Sequence, residues 1–390
     1  MPLRFINKFL HGQYSSSIVL IFATALAMFL ANSFAAESYH SILQAHFGIK
    51  TDFLTLDLSV EHWVNDGLMV LFFLLVGLEI KREFMQGELG TLSKAAFPVI
   101  CAVGGVVAPA LIFLFINKGH HEHWQGWAIP TATDIAFALG LLALGGKNVP
   151  LSLKVFLTAL AIIDDLIAIL IIALFYGEPL NIDAFFVAVV VMFVLLRLNV
   201  MNVKRIWPYL LMGFFLWLSV LQSGLHPTIA GVLLAIMIPV SENKEKSPLH
   251  RLENALHPVS AFFIMPVFAL VNAGLLFSGI SVGDLWNPLP LGIMAGLFFG
   301  KQIGIVLAGK VAIHLGWAQL PEDVSPRQFY AASVLAGIGF TMSLFIGSLA
   351  FKSGEQDNLV RLGVMAGSLI SAIVGVMLLR WDGRKKIAAN

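Results

Sequence analysis

Charge is what this sequence lacks. Only 12% of its 390 residues are Asp, Glu, Lys or Arg, and 58% are hydrophobic, for a mean hydropathy of +0.87. A soluble globular chain carries about 25% charged residues. The deficit is too large to be a rich core, so the solvent is lipid. Cysteine is nearly absent: Cys101 is the one copy, inside an apolar run. Intrachain disulfides, iron–sulfur clusters and thiolate zinc sites are excluded, and Cys101 reads as a small buried apolar residue. The net charge of +1 provides no field to attract nucleic acid. No Gly-x4-Gly-Lys-Ser/Thr loop and no cofactor-ligand set occurs, which argues against an ATP-driven or redox pump and leaves no cofactor to expect. Nor is there room for a large soluble domain, since the longest stretch outside apolar runs is about 34–61. Residues 1–390 therefore read as one polytopic membrane domain and not as an enzyme.

About 20 apolar residues cross a bilayer as a helix. Twelve such segments are expected, at 15–33, 62–80, 95–116, 127–144, 150–176, 184–199, 207–222, 226–240, 257–278, 289–310, 328–351 and 359–379. The first follows Arg4 and Lys8 and precedes Ser33-Phe34-Ala35-Ala36, so it is either a retained helix, as the count requires, or a cleaved signal peptide that leaves eleven. Of the 24 Lys and Arg, nineteen fall on the side carrying both chain ends. Lys50, Lys118, Lys352 and Arg361 fall on the other side, and Lys301 lies at mid-depth. That skew predicts cytoplasmic termini. Between the first two spans, Leu54 to Val60 alternates apolar and polar, the period of a half-buried strand. Either it pairs with His46 to Ile49 as an extracytoplasmic β-hairpin, or the loop is disordered. An isolated hairpin is marginal in water, so a partner is expected for it, such as the same hairpin of a second protomer.

Four ionisable residues fall near the middle of spans: Asp134, Asp164, Asp165 and Lys301. Each costs about 2.5–3.5 kcal/mol at a helix centre. They are tolerable only facing one another or a wet cavity, and three acids cannot all pair with one base. At least one carboxylate is left to bind a proton or a metal cation. Asp164 and Asp165 are adjacent, and like charges that close disfavour double ionisation. A carboxylate poised in this way exchanges a proton for a cation. Sodium takes oxygen ligands, and no His or Cys cluster points to a transition metal. Thr133 adds an oxygen beside Asp134. Lys301 has two readings: a permanent partner of one acid, most simply Asp164, or a group that loses that partner and its proton as the cation enters.

Two spans carry helix breakers at mid-depth. Pro130 lies in Pro130-Thr131-Ala132-Thr133-Asp134, and Gly337 and Gly339 lie in Gly337-Ile338-Gly339-Phe340-Thr341. The glycines have a second reading, close packing through small residues. Paired broken helices mark the binding site of a secondary transporter. Helix ends exposed at such a break carry partial charge, which Asp134 can offset at N-termini and Lys301 at C-termini. Spans three to five and ten to twelve each place a broken helix centrally and run in opposite senses. The expected fold is thus an all-α integral membrane protein with an inverted-topology repeat and two broken helices crossing at mid-membrane.

The segments Phe72 to Glu83, Gly126 to Leu139, Ala159 to Leu166, Leu291 to Gly304 and Gly337 to Ser343 together resemble the NhaA-type sodium/proton antiporters, from about residue 15 to 380. That family is itself one of the cases behind the association of broken helices with binding sites. The resemblance implies a cation and proton site at Asp164 and Asp165, with Asp165 the more essential. Asp134 and Lys301 would balance charge at the crossing, with Thr133 at the site. It implies electrogenic exchange of Na+ or Li+ for H+, activity rising at alkaline pH, a bacterial inner membrane, and a homodimer joined through the hairpin. A cytoplasmic pH-response cluster would map to Glu79, Lys81, Arg82, Glu83, Glu253 and His257, with His226 also tied to pH. Read from the residues alone, that cluster is a solvated positive-inside loop and His226 an exposed histidine. Asn254 stands where some members have histidine, which leaves the pH set point open. Glu79, Glu83 and Glu253 would line a cytoplasmic funnel. Asp66 lines the opposite entrance or caps a helix end. The competing classes are a cation channel, which needs no midplane lysine, and a proton-coupled solute carrier, which wants a roomy aromatic or Arg-lined pocket at mid-depth; no arginine lies at the midplane.

Overall fold

The computed structural model describes residues 15–50, 55–145, 149–241, 243, 247–351 and 354–388. Short turns aside, the elements are α1 (Ser15–Ala31), α2 (Ala36–Gln44), the strands β1 (His46–Lys50) and β2 (Thr55–Ser59), α3 (Val60–Gln86) and α4 (Leu92–Ile116). Two 3-10 turns, His121–Gly126 and Ile129–Thr131, lead into α5 (Ile135–Ala143). Then come α6 (Leu151–Phe175), α7 (Ile182–Val200), α8 (Trp207–Ser223), α9 (Ile229–Met237), α10 (Pro248–Asn272), α11 (Pro288–His314), α12 (Pro326–Leu335), α13 (Phe340–Ala350) and α14 (Glu355–Ala388).

Among the described residues, seven helices are long and apolar enough to cross a membrane, and three bent pairs raise the number to ten. The two other expected segments are α8, of 17 residues, and α9, of nine. The chain is a multi-pass helical membrane protein. Arg4, Lys8, Leu54, Lys147, Lys244, Lys246 and Lys352 lie outside the described residues.

Two boundaries differ from expectation. The segment 34–61 is not only loop and hairpin: α2 occupies its start, turned 109° from α1. Its Tyr39 hydroxyl donates to the Leu270 carbonyl at 2.6 Å, which fixes a helix too short to stand alone. α10 starts at Pro248 rather than 257, because Pro at the first position and an amphipathic first turn extend it beyond its apolar part.

The chain divides into two compact units: one holds the start of α1, residues 88–168 and residues 275 onward, the other residues 23–87 and 169–274. In the first, α4 and α11 approach backbone to backbone. A β-carbon on Gly104 would strike the Gly304 carbonyl, and one on Gly304 the Gly104 carbonyl. Gly300 lies against Pro109 and Gly296 against Pro130, each leaving 2.6 Å for an added β-carbon. Lipid offers no hydrophobic drive between helices, so close van der Waals contact through small residues holds them together.

In the second unit α3, α8 and α9 share a core that includes Leu74, Leu78, Tyr209, Leu216, Leu234 and Ile238. β1 and β2 pair antiparallel, Phe47 opposite Leu58 and Gly48 opposite Asp57. Leu56 enters the core, and Trp63 stacks on Phe47 at 5.3 Å while its Nε1 donates to the Phe47 carbonyl at 3.0 Å. The strand pair is therefore pinned to the start of α3. Lys81 Nζ donates to the carbonyls of Ile236 (2.6 Å) and Ile238 (2.5 Å) and so closes the C-terminus of α9.

Gly304→Val should separate α4 from α11 and destabilise the protein by about 1–3 kcal/mol. Gly119→Ala, with open space around its α-carbon, should not. Thermal unfolding of the two purified variants in detergent checks this.

Candidate functional site

The first broken helix lacks a regular first half. Gly126 and Pro130 reduce it to 3-10 turns, and it bends 46° into α5. The second stops at Leu335, bends 40° and restarts at Phe340. Its glycines meet both expectations at once. They lie in the break, and an added β-carbon on Gly337 would run into the Leu297 carbonyl of α11, while one on Gly339 would meet Ser343 Oγ and Leu297 Cδ2.

Asp134 ties the two breaks together. Its amide donates to the Ile338 carbonyl at 2.7 Å. Its Oδ1 accepts from the Phe137 amide at 3.0 Å and caps the N-terminus of α5. Its Oδ2 accepts from the Thr341 amide at 3.2 Å and from the Thr341 hydroxyl, at the N-terminus of α13. One buried carboxylate thus offsets two helix N-termini, each equivalent to about half a positive charge. Ser343 Oγ adds a second tie, donating to the Ile129 carbonyl at 2.7 Å. Thr341 and Ser343 were not expected. The available signal was a hydroxyl just past a helix break, the N-cap preference for such residues.

Asp164 lies on α6 beside this crossing, 1% exposed, with Lys301 of α11 fully buried against it. Lys301 Nζ donates to Asp164 Oδ2 at 2.5 Å. Thr133 Oγ1 is 2.8 Å from that same oxygen and 2.8 Å from the Ala336 carbonyl at the end of α12. A hydroxyl has one proton and two lone pairs. It can donate to an ionised Asp164, or accept from a protonated one while donating to Ala336. Among the described residues nothing hydrogen-bonds Asp164 Oδ1. Asp165 is also buried, 3% exposed. Lys301 owes its direction to a π-turn at Gly296–Gly300: its amide donates to the Gly296 carbonyl, five residues back. Such a turn rotates the following residues by about 100° relative to a regular helix. Gly105 on α4 packs against Ile305 of α11, whose Cγ1 would lie 3.0 Å from an added β-carbon.

A family model described as Na+/H+ antiporter 1 matches residues 7–379. This chain belongs to that family. It is 50% identical over 377 residues to the "Na(+)/H(+) antiporter NhaA" of Aeromonas hydrophila, covering 96% of this chain and 95% of the relative. It is 50% identical over 393 residues to that of Caulobacter vibrioides, covering 100% and 93%. It is 49% identical over 380 residues to that of Pelagibacter ubique, covering 97% of each.

The antiporter's other unit holds the remaining expected residues, in separate groups. Arg82 bridges Glu83 (2.9 Å) and Glu253 (3.3 Å). Half-buried Glu79 is within electrostatic reach of all three. His257 is exposed on α10. Lys81 is engaged at the end of α9, a capping role its sequence context did not suggest. His226 is buried rather than exposed, with Nδ1 2.7 Å from Thr228 Oγ1 and Nε2 3.6 Å from Asp66 Oδ1. The N-cap of α3 is Ser59, which accepts from the His62 amide, and Asp66 lies inside the helix within the π-turn Trp63–Leu68.

Asp134→Ala should remove two caps at once, at about 1 kcal/mol each. Asp134→Asn keeps an accepting oxygen and should lose about half as much. Thermal unfolding of both variants, with Thr341→Val as the one-sided control, measures the ratio.

Proposed function

We propose that this sodium/proton antiporter binds Na+ and protons in turn at Asp164 and Asp165, beside the crossing of its broken helices. The observation that carries this reading is the buried Asp164, ion-paired through Oδ2 with its Oδ1 unbonded among the described residues. Next to it lies a second buried carboxylate, Asp165. Sodium is the substrate, and carboxylate and hydroxyl oxygens suit it as a hard cation. Entry of Na+ beside Asp164 competes with Lys301 for the carboxylate charge. Thr133 follows by turning its proton from Asp164 to Ala336 or back. Asp134 holds the crossing through two helix ends that do not titrate, and Gly337 and Gly339 keep it tight.

Lithium, with the same oxygen preference, is the second transported cation. Two carboxylates for one monovalent cation imply more protons than Na+ per cycle. The exchange would then be electrogenic, each net charge moved contributing about 2.3 kcal/mol per 100 mV. The wider arrangement is twelve spans with an inverted repeat of spans three to five and ten to twelve. Both termini are cytoplasmic, in a bacterial inner membrane, and the β1–β2 pair meets its copy in a homodimer. Alkaline activation is assigned to the ion-paired group of Glu79, Arg82, Glu83 and Glu253 with His257, Lys81 acting through α9. His226 and Asp66 form a second titratable pair at the opposite entrance.

Inside-out vesicles carrying the protein are acidified internally, and the discharge of the pH gradient on adding Na+ is followed with a fluorescent probe. Wild type should discharge it with Na+ and not with K+, and Asp165→Asn should lose at least about 100-fold of the rate, the size of a lost catalytic proton carrier. An Asp165→Asn protein that exchanges like wild type removes Asp165 from the site.

A further inference from the structure

The π-turn that aims Lys301 is held by residues with no part in the chemistry described so far. Gln302, next to Lys301, is buried at 6% exposure. Its Nε2 donates to the Phe298 carbonyl, inside the turn, at 2.6 Å. Its Oε1 accepts from the hydroxyl of Tyr330 on α12 at 2.5 Å. The amide orientation is forced, since only NH2 can serve a carbonyl, leaving the oxygen for the phenol. On its other side the turn meets the second break, where the Leu297 carbonyl is covered by Gly337. The turn is therefore gripped by the helix before the break and by the break itself.

We propose that Gln302 and Tyr330 are positioning residues that lock the Gly296–Gly300 turn in the register from which Lys301 reaches Asp164, and so set the apparent affinity for Na+. This rests on the reading of Asp164 and Lys301 as part of the cation site. A π-turn and a regular helix differ by about 100° at the next residue. Relaxing the turn carries the Lys301 ammonium away from Asp164. The carboxylate then loses the contact that fixes its position, so Na+ must order it on binding and binds less tightly. Tyr330 makes this sensitive to α12: movement of that half-helix pulls on Gln302 and through it on the turn that ends at Lys301.

The test measures the apparent KM for Na+ and Vmax in inside-out vesicles at one fixed pH, for Tyr330→Phe, Gln302→Leu and the double variant. Each single variant should raise KM about five-fold, the scale of one hydrogen bond, with Vmax per folded protein unchanged. The double variant should match Gln302→Leu alone, because both substitutions break one chain of bonds. Should Gln302→Leu fail to accumulate, Tyr330→Phe decides, since Tyr330 is 39% exposed and loses only its hydroxyl. A wild-type KM in Tyr330→Phe, or a loss of rate that only follows loss of folded protein, overturns the proposal. Asp165→Asn runs beside them: if it stays active, the site reading has failed, and if it is inactive while Tyr330→Phe keeps its wild-type KM, only the positioning role has failed.

Discussion

The structure of the first unit turns on the compensation of buried charge. Three carboxylates and one ammonium lie buried there. Each left unpaired in lipid would cost a few kcal/mol at least. Two kinds of compensation occur side by side. Asp134 is matched by the N-termini of α5 and α13, and Asp164 by Lys301. The two helix ends are worth about one positive charge together, which one carboxylate can offset.

Such compensation requires the elements to come closer than ordinary side chains permit. Gly104 faces Gly304, Gly300 faces Pro109, and Gly337 faces the carbonyl of Leu297. These contacts bring α11 against α4 and the second break against α11, so that Lys301 and Asp134 occupy their places without long reaches through apolar space. The breaks themselves expose carbonyls and amides that lipid cannot satisfy. Ile338, Ala336 and Ile129 offer carbonyls that Asp134, Thr133 and Ser343 take up. Small residues and hydroxyls thus serve one end, a close crossing in which these three carbonyls find donors.

Much of this was legible in the sequence because it is written in anomalies. An aspartate in the middle of an apolar run, or a proline or glycine pair at mid-depth, violates the rule for a membrane helix, and Asp134, Asp164, Asp165, Lys301, Pro130 and Gly337 were all found that way. What stayed hidden obeys the local rules. Thr341 and Tyr330 are ordinary residues in apolar helices, and their roles come from partners 207 and 28 positions away. A π-turn leaves no pattern beyond the glycines that permit it. Lys81 sits in a basic stretch that reads as solvated, yet its partner is a helix end about 155 residues along. The helix α2 was missed because nine residues carry too little periodicity, and its anchor, Tyr39, bonds 231 positions away.

The two kinds of compensation also differ in what they allow. A helix terminus is a fixed partial charge that no proton can remove. An ammonium on a flexible stem can be displaced by another cation, and a neighbouring hydroxyl can reverse its donor direction at little cost. Asp134 is held by two helix ends and by the Thr341 hydroxyl, and it has no ammonium partner among the described residues, whereas Asp164 is held by the Lys301 ammonium and the Thr133 hydroxyl. On the proposed reading this separates a carboxylate that holds the crossing together from one whose charge is exchanged during transport. It also explains why breaking two helices is useful despite the bonds lost: the breaks create non-titrating positive ends, which keep the scaffold's charge constant while the site beside it cycles between proton and sodium.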